Sequence, residues 1–207
     1  MTKPTILGFP RSGNTWLYYI CGVLLGAKDP NNLEEVGQYI ERRHNTHIKG
    51  KTIFIVRNYK ECIIRHFGIE DIKGRVGDFL SKPTFKGGVF VSLYINILRT
   101  FELANHGKLL IYYEDLMTNP EKQIRRVGKF LDVPTEDFIN NYEYYKEDSL
   151  SNKPYPERKS FTRGEDLTFH SRQLSLKERT IFDNFYERNY TDLFNKYLTR
   201  YKENGNT

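Results

Sequence analysis

The sequence predicts an α/β fold on a parallel sheet, and three observations carry that prediction. Short apolar runs around Ile6, Thr52–Val56 and Lys108–Tyr113 alternate with longer stretches whose apolar residues recur at helical spacing. Thr52-Ile53-Phe54-Ile55-Val56 is a continuous β-branched and aromatic run, the pattern of a parallel strand covered on both faces. The first apolar run, Ile6-Leu7-Gly8-Phe9, passes through Pro10-Arg11-Ser12-Gly13 into an apolar stripe at Trp16, Leu17, Ile20 and Leu24, which reads as strand, anion loop and helix. The backbone N–H groups of such a loop and the positive end of the helix dipole both point at the space above the strand.

Helix one is expected from Asn14 to Leu25, stopped by Gly26, with a turn at Asp29-Pro30-Asn31-Asn32. A second, more polar helix is expected over Leu33 to Arg42, and the strand Thr52–Val56 then ends at Arg57-Asn58. A helix begins near Tyr59. The glycine- and charge-rich stretch from Gly68 to Gly88 reads as a long loop or lid, the kind of segment that carries substrate selectivity. Val89 to Asn105 is an amphipathic helix with Phe90, Tyr94, Ile97, Leu98 and Phe101 on one face, read as core. After the strand Lys108–Tyr113 come Glu114-Asp115-Leu116, Asn119-Pro120 and a helix through Ile124, Val127, Phe130 and Leu131. Ser149 to Arg172 reads as an extended loop, and Ser175 with Glu178 makes a capping box for a helix over Leu176 to Arg188, followed by a segment from Thr191 to Tyr201.

At 207 residues the chain suits a single domain, and its 15 Tyr and 14 Phe argue for a packed interior rather than disorder. Thirty-two basic against 26 acidic residues give a formal +6, which suits a polyanionic ligand; with no run of five basic residues, a nucleic-acid stripe is the weaker reading. Cys21 and Cys62 form neither a disulfide framework nor a metal cluster, which fits a reducing compartment. The longest apolar run is too short to span a bilayer, and the first strand starts almost at the N-terminus. The expectation is therefore a cytoplasmic protein with no membrane contact.

The loop has the frame of the nucleotide-binding pattern G-x-x-x-x-G-K-[ST], as Gly8, four residues, Gly13, Asn14 and Thr15, but asparagine stands where that pattern has lysine. Arg11 supplies a planar cation in its place. Pro10-Arg11-Ser12-Gly13-Asn14-Thr15-Trp16 resembles the 5′-phosphosulfate loop of the sulfotransferases that use 3′-phosphoadenosine 5′-phosphosulfate, P-[KR]-S-G-[TN]-T-W. Arg57-Asn58-Tyr59-Lys60-Glu61 resembles the family's strand-end R-N-P-[KRY]-[DE], with Tyr59 in place of proline; Arg65 stands where many relatives have a phosphate-binding serine. Tyr113-Glu114-Asp115-Leu116 resembles the family's third landmark, whose tyrosine borders the adenine.

This resemblance covers about Ile6 to Phe185. It implies a three-layer α/β/α, P-loop NTPase-like fold on a four- or five-stranded parallel sheet, and transfer of a sulfuryl group to a hydroxyl acceptor without a metal. The resemblance puts Arg11, Ser12, Gly13, Asn14, Thr15 and Trp16 at the donor's phosphosulfate end, Arg57 and Arg65 at its 3′-phosphate, and Tyr113 at its base. A softened R-K-G motif falls in two frames, Arg158-Lys159 and Arg163-Gly164, and either could clamp the 3′-phosphate. For the general base the resemblance favours His47, which follows Thr46 as in the family's K-T-H, with His44 and Glu41 as alternatives. The acceptor, whether phenol, alcohol, glycan or peptide tyrosine, is not written in any motif, and neither is the oligomeric state. Two other readings stay open: a nucleoside-triphosphate-dependent kinase on the same loop, and a non-catalytic basic nucleotide- or nucleic-acid-binding module.

Overall fold

Four parallel strands form one sheet: β1 (Thr5–Gly8), β2 (Glu41–Arg43), β3 (Thr52–Val56) and β4 (Lys108–Tyr112), in the spatial order β2-β1-β3-β4. The computed structural model describes residues 2–44, 50–81, 86–151 and 169–203, apart from the side chains at 86–88 and 151. β1 pairs with β3 from Thr5 opposite Thr52 to Gly8 opposite Ile55, and β3 with β4 from Thr52 opposite Lys108 to Val56 opposite Tyr112. Because every strand runs the same way, Gly8, Arg43, Val56 and Tyr112 lie along one edge. The chain leaves β1 for β2 on one side and returns to β3 on the other, so the crevice above β1 and β3 is a topological switch point, where open α/β sheets bind ligands.

The helices follow in chain order: α1 (Asn14–Leu24), α2 (Leu33–Val36), α3 (Tyr59–Phe67), α4 (Val76–Ser81), α5 (Lys86–Leu103), α6 (Tyr113–Thr118), α7 (Pro120–Leu131), α8 (Glu136–Asn140), α9 (Tyr142–Ser151) and α10 (Leu176–Asn189). They cover both faces of the sheet, as the three-layer expectation requires. Leu7, Phe54 and Val56 point into a core with α3, α4, α5 and α10; Ile6, Ile53, Ile55 and Ile111 point into a second one with α1, α7 and Phe138. Alternation of side chains across the pleat sends neighbouring residues of β1 and β3 to opposite layers, which is why both strands read as unbroken apolar runs.

Three expectations about elements are corrected. The polar helix over Leu33 to Arg42 ends at Val36, and Glu41–Arg43 is instead the edge strand β2, its register set by Thr5 opposite Glu41. The stretch from Gly68 to Gly88 is not one loop: Ile72, Val76, Phe79 and Leu80 are buried, α4 lies within it, and α5 already begins at Lys86. Residues 149–151 belong to α9 and 170–173 to a 3₁₀ turn, so the ends of the expected Ser149 to Arg172 loop are helical. The capping box forms as expected, with the Ser175 side chain on the Glu178 amide and the Glu178 carboxylate on the Ser175 amide. No helix among the described residues is long and apolar enough to cross a membrane.

Candidate active site

The loop between β1 and α1 is closed around a single carbonyl. Phe9 O accepts from the Ser12 amide at 3.1 Å, the Ser12 hydroxyl at 2.6 Å and the Asn14 side-chain amide at 2.7 Å. Ser12 and Asn14 are buried, so these side chains brace the loop from within, and what these two residues can present to a ligand is backbone N–H. The asparagine in the lysine position thus has a structural task of its own. It also fixes Gly8, where a Cβ would come within 2.1 Å of Asn14 Oδ1. Gly13 has φ +95°, and a Cβ there would meet the Tyr113 ring at 2.3 Å. Arg11 adopts φ +71° between them.

Gly13 is the N-cap of α1 and brings no side-chain cap, nor does an acidic residue stand in the first turn. The first-turn amides of Asn14, Thr15 and Trp16 therefore lack intrahelical acceptors, and together with the helix dipole they favour an anion above the loop. Trp16 contributes to this only through its backbone: its indole is buried in the α1 layer and stacks on Tyr19 at 5.6 Å. The Thr15 hydroxyl accepts from Arg42 Nη1 at 3.3 Å.

Next to this loop, at the end of β3, stands Arg57. It is 7% exposed, donates from Nη1 to Arg11 O at 3.2 Å and lies over the Tyr113 ring at 4.2 Å, while its buried Nε has no hydrogen-bond partner. Tyr113, expected at the adenine, is thus packed between Gly13 and Arg57. Arg65 lies two turns further along α3, with Nε 3.6 Å from Glu61 Oε2. Burial, and after it the charge of Arg57, lowers the Arg65 pKa, which is the mark of two guanidinium groups sharing a partly desolvated corner. Such a corner gains from a dianion.

Glu61 is buried, and its two carboxylate oxygens take the amides of His170 at 3.1 Å and Ser171 at 2.7 Å. The chain after residue 168 is thereby anchored beside Arg57 and Arg65. Burial first, then the charge of Arg65, lowers the His170 pKa.

On the other side of the loop, His44 follows β2 and bonds through Nδ1 to Gly8 O at 2.7 Å. A carbonyl only accepts, so Nδ1 carries the proton and Nε2 of the neutral ring keeps a lone pair. Burial pushes the His44 pKa down, the bond to Gly8 draws it part of the way back, and Arg42 lowers it again; the net shift is below the ordinary 6.5. A further histidine, His66, stacks on Phe90 at 4.1 Å, with its pKa lowered by burial and by Arg11.

The structure therefore gathers Arg11, Ser12, Gly13, Asn14, Thr15, Arg57, Arg65 and Tyr113 at one edge of the sheet. His47, Arg158, Lys159, Arg163 and Gly164 lie outside the described residues. Glu41, an alternative base, pairs with Arg43 at 2.6 Å. Sequence reasoning passed over His66 and His170, and it gave Glu61 and Glu114 no role beyond their place in a motif. It read Tyr94 only as core, although its hydroxyl donates to Arg57 O at 2.8 Å. Among the described residues no group of three or more His, Cys, Asp and Glu is placed to hold a metal ion.

An anion loop at the switch point of a parallel sheet, with an arginine corner at the next strand end, is an arrangement in which anionic groups can be held. The chain matches the sulfotransferase domain model over residues 42–194, and it belongs to that family. A WSCD family member of Aedes aegypti is 29% identical over 163 residues, which cover 64% of this chain and 51% of the relative. Mouse sulfotransferase 1B1 is 25% identical over 118 residues, or 50% of this chain and 40% of its own length. Protein-tyrosine sulfotransferase A of Caenorhabditis elegans is 46% identical over 46 residues, covering 21% and 12% respectively. The chain spans about half the length of the first curated relatives it matches. The crystal structure of mouse sulfotransferase SULT7A1 complexed with PAP superimposes with a TM-score of 0.60, covering 94% of this chain and 88% of that one at 16% identity, a likeness of fold.

Proposed function

We propose that this protein transfers a sulfuryl group from 3′-phosphoadenosine 5′-phosphosulfate to a hydroxyl acceptor. One observation carries the reading: the uncapped N-terminus of α1 and the Arg57–Arg65 corner sit at neighbouring strand ends, so two separate anionic groups can be held at once. The donor's two phosphate-bearing ends fit that pair. The unpartnered Arg57 Nε and the lone Gly13 cap are features that such an anion would complete. When bound, the donor supplies a sulfuryl group activated by its anhydride to phosphate.

The chain's own residues then have distinct tasks. The loop amides hold the 5′ end, Arg57 and Arg65 hold the 3′-phosphate, and Arg11 stabilises charge on the oxygen from which the sulfuryl group departs. His44, with Nδ1–H fixed on Gly8 O, keeps Nε2 available to take the acceptor's proton. Calorimetric titration tests the assignment. It predicts tight, magnesium-independent binding of adenosine 3′,5′-bisphosphate; a response to Mg-ATP alone would favour a kinase, and no response to either a non-catalytic module. Assay of labelled donor against a pool of phenols, alcohols, glycans and tyrosine peptides then identifies the acceptor class.

If His44 is the base, only its neutral ring works, so kcat/KM should fall as pH drops through its pKa. The lowered pKa places that acid limb below pH 6.5. His44→Gln, which retains an N–H for Gly8 O, should lose the limb and most of the rate yet bind adenosine 3′,5′-bisphosphate as the parent does. An unchanged acid limb in that variant would transfer the role to another group, His47 first.

A further inference from the structure

The peptide unit joining Arg57 to Asn58 is held at both of its polar ends. Its carbonyl oxygen accepts from the Tyr94 hydroxyl at 2.8 Å, and its N–H donates to Glu114 Oε1 at 3.1 Å. Fixing one peptide plane sets ψ of Arg57 and φ of Asn58, and with them the direction in which the Arg57 side chain leaves the chain. Tyr94 comes from α5 and Glu114 from α6, so two helices on different sides of β4 in the sequence meet at this one bond.

Glu114 is itself held from further along the chain. Its other oxygen, Oε2, accepts from the Tyr201 hydroxyl at 2.6 Å. Tyr201 is buried and tied down at its backbone too, since its carbonyl accepts from Lys60 Nζ at 2.6 Å. Lys60, with no exposed surface, is balanced by Asp183 at 2.7 Å and Glu203 at 3.2 Å. The preceding residue repeats the pattern, with Arg200 bidentate on Asp115 at 2.6 and 3.1 Å. Arg200 and Tyr201 thus hold Asp115 and Glu114, two consecutive acidic residues at the top of β4, while Tyr201 also reaches α3. These bonds form a closed circuit through Asn58, Glu114, Tyr201 and Lys60, and Arg57 is adjacent to it.

We infer that Tyr201 is a positioning residue for Arg57: through Glu114 it holds the Asn58 amide, and so keeps the guanidinium set for the group that it grips. The inference rests on the proposed function, in which that group is the donor's 3′-phosphate. Without the hydroxyl, Glu114 keeps one of its two anchors and its half-buried Oε2 loses its partner, so the peptide loses its fixed direction.

The test compares adenosine 3′,5′-bisphosphate with adenosine 5′-phosphosulfate, which lacks the 3′-phosphate, by calorimetry on the full chain. Tyr201→Phe should weaken the bisphosphate about five- to tenfold, the order of one hydrogen bond's net contribution, and leave the phosphosulfate unchanged. In turnover the donor KM should rise while kcat at saturating donor holds. In a Glu114→Ala background, Tyr201→Phe should add nothing, because both changes act through the same link. Equal losses for both ligands, no loss at all, or additive effects in the double variant would each overturn the inference. Should Tyr201→Phe fail to fold, Glu114→Gln against Glu114→Ala decides it. The glutamine keeps an acceptor for the Asn58 amide and should retain bisphosphate affinity, whereas equal weakening in both would refute the link. If the parent protein does not bind the bisphosphate, it is the proposed function that fails instead.

Discussion

Arg11→Ala is expected to lower turnover by about 10²-fold or more, the size of effect seen when one donor to a developing oxyanion is removed. The backbone around Arg11 is held by bonds that do not use its side chain. Its carbonyl accepts from Arg57, and the loop on either side is closed on Phe9 O. The variant should therefore fold normally and bind adenosine 3′,5′-bisphosphate with modest loss, since the loop amides and the Arg57 corner remain. Circular dichroism and calorimetric titration separate loss of chemistry from loss of structure. Turnover within threefold of the parent would remove Arg11 from the mechanism.

Arg57→Ala is expected to reduce the affinity for adenosine 3′,5′-bisphosphate by about 1.5 to 3 kcal/mol, the usual worth of a hydrogen bond to a charged group. Adenosine 5′-phosphosulfate should be nearly unaffected. The contrast matters because Arg57 also packs on Tyr113 and bonds to Arg11 O, so its loss could disturb the loop. A loop effect would weaken both ligands together, and that result would contradict the assignment. Arg57→Lys sharpens the comparison: it retains charge but not the fork that holds Arg11 O and, under the proposed function, a phosphate at once.

The parts of the fold that the sequence disclosed are those whose signal is local. β1, β3 and β4 are strongly apolar, α1 and α5 have helical periodicity, and Ser175 with Glu178 announces α10. β2 was hidden because Glu41-Arg42-Arg43 has no strand character of its own; pairing with β1 at the sheet edge makes it a strand. Its concealment also obscured His44, whose place at the Gly8 carbonyl follows from that pairing. α4 was masked by the glycines around it, although Ile72, Val76, Phe79 and Leu80 have helical spacing and are buried. In the site, the loop and Arg57 were legible because each is a contiguous motif at a strand end. The groups that hold Arg57 were not. Tyr94, Glu114 and Tyr201 come from three distant segments, and no spacing rule connects residues that meet only in the folded chain.

The left-handed backbone of Arg11 is a point of local strain inside the candidate site. Among the described residues only Arg11 and Asp132 combine a side chain with positive φ. An L-residue in that conformation gives up roughly 1 to 2 kcal/mol. Glycine would avoid the strain, offset by about 0.5 to 1 kcal/mol for its greater freedom when unfolded. Arg11→Gly removes that strain together with what the arginine side chain contributes to folding, so calorimetric melting reads the balance of the two, and under the proposed function turnover should be as low as in the alanine variant. Under the proposed function, a selection for turnover would hold the arginine in its strained pose.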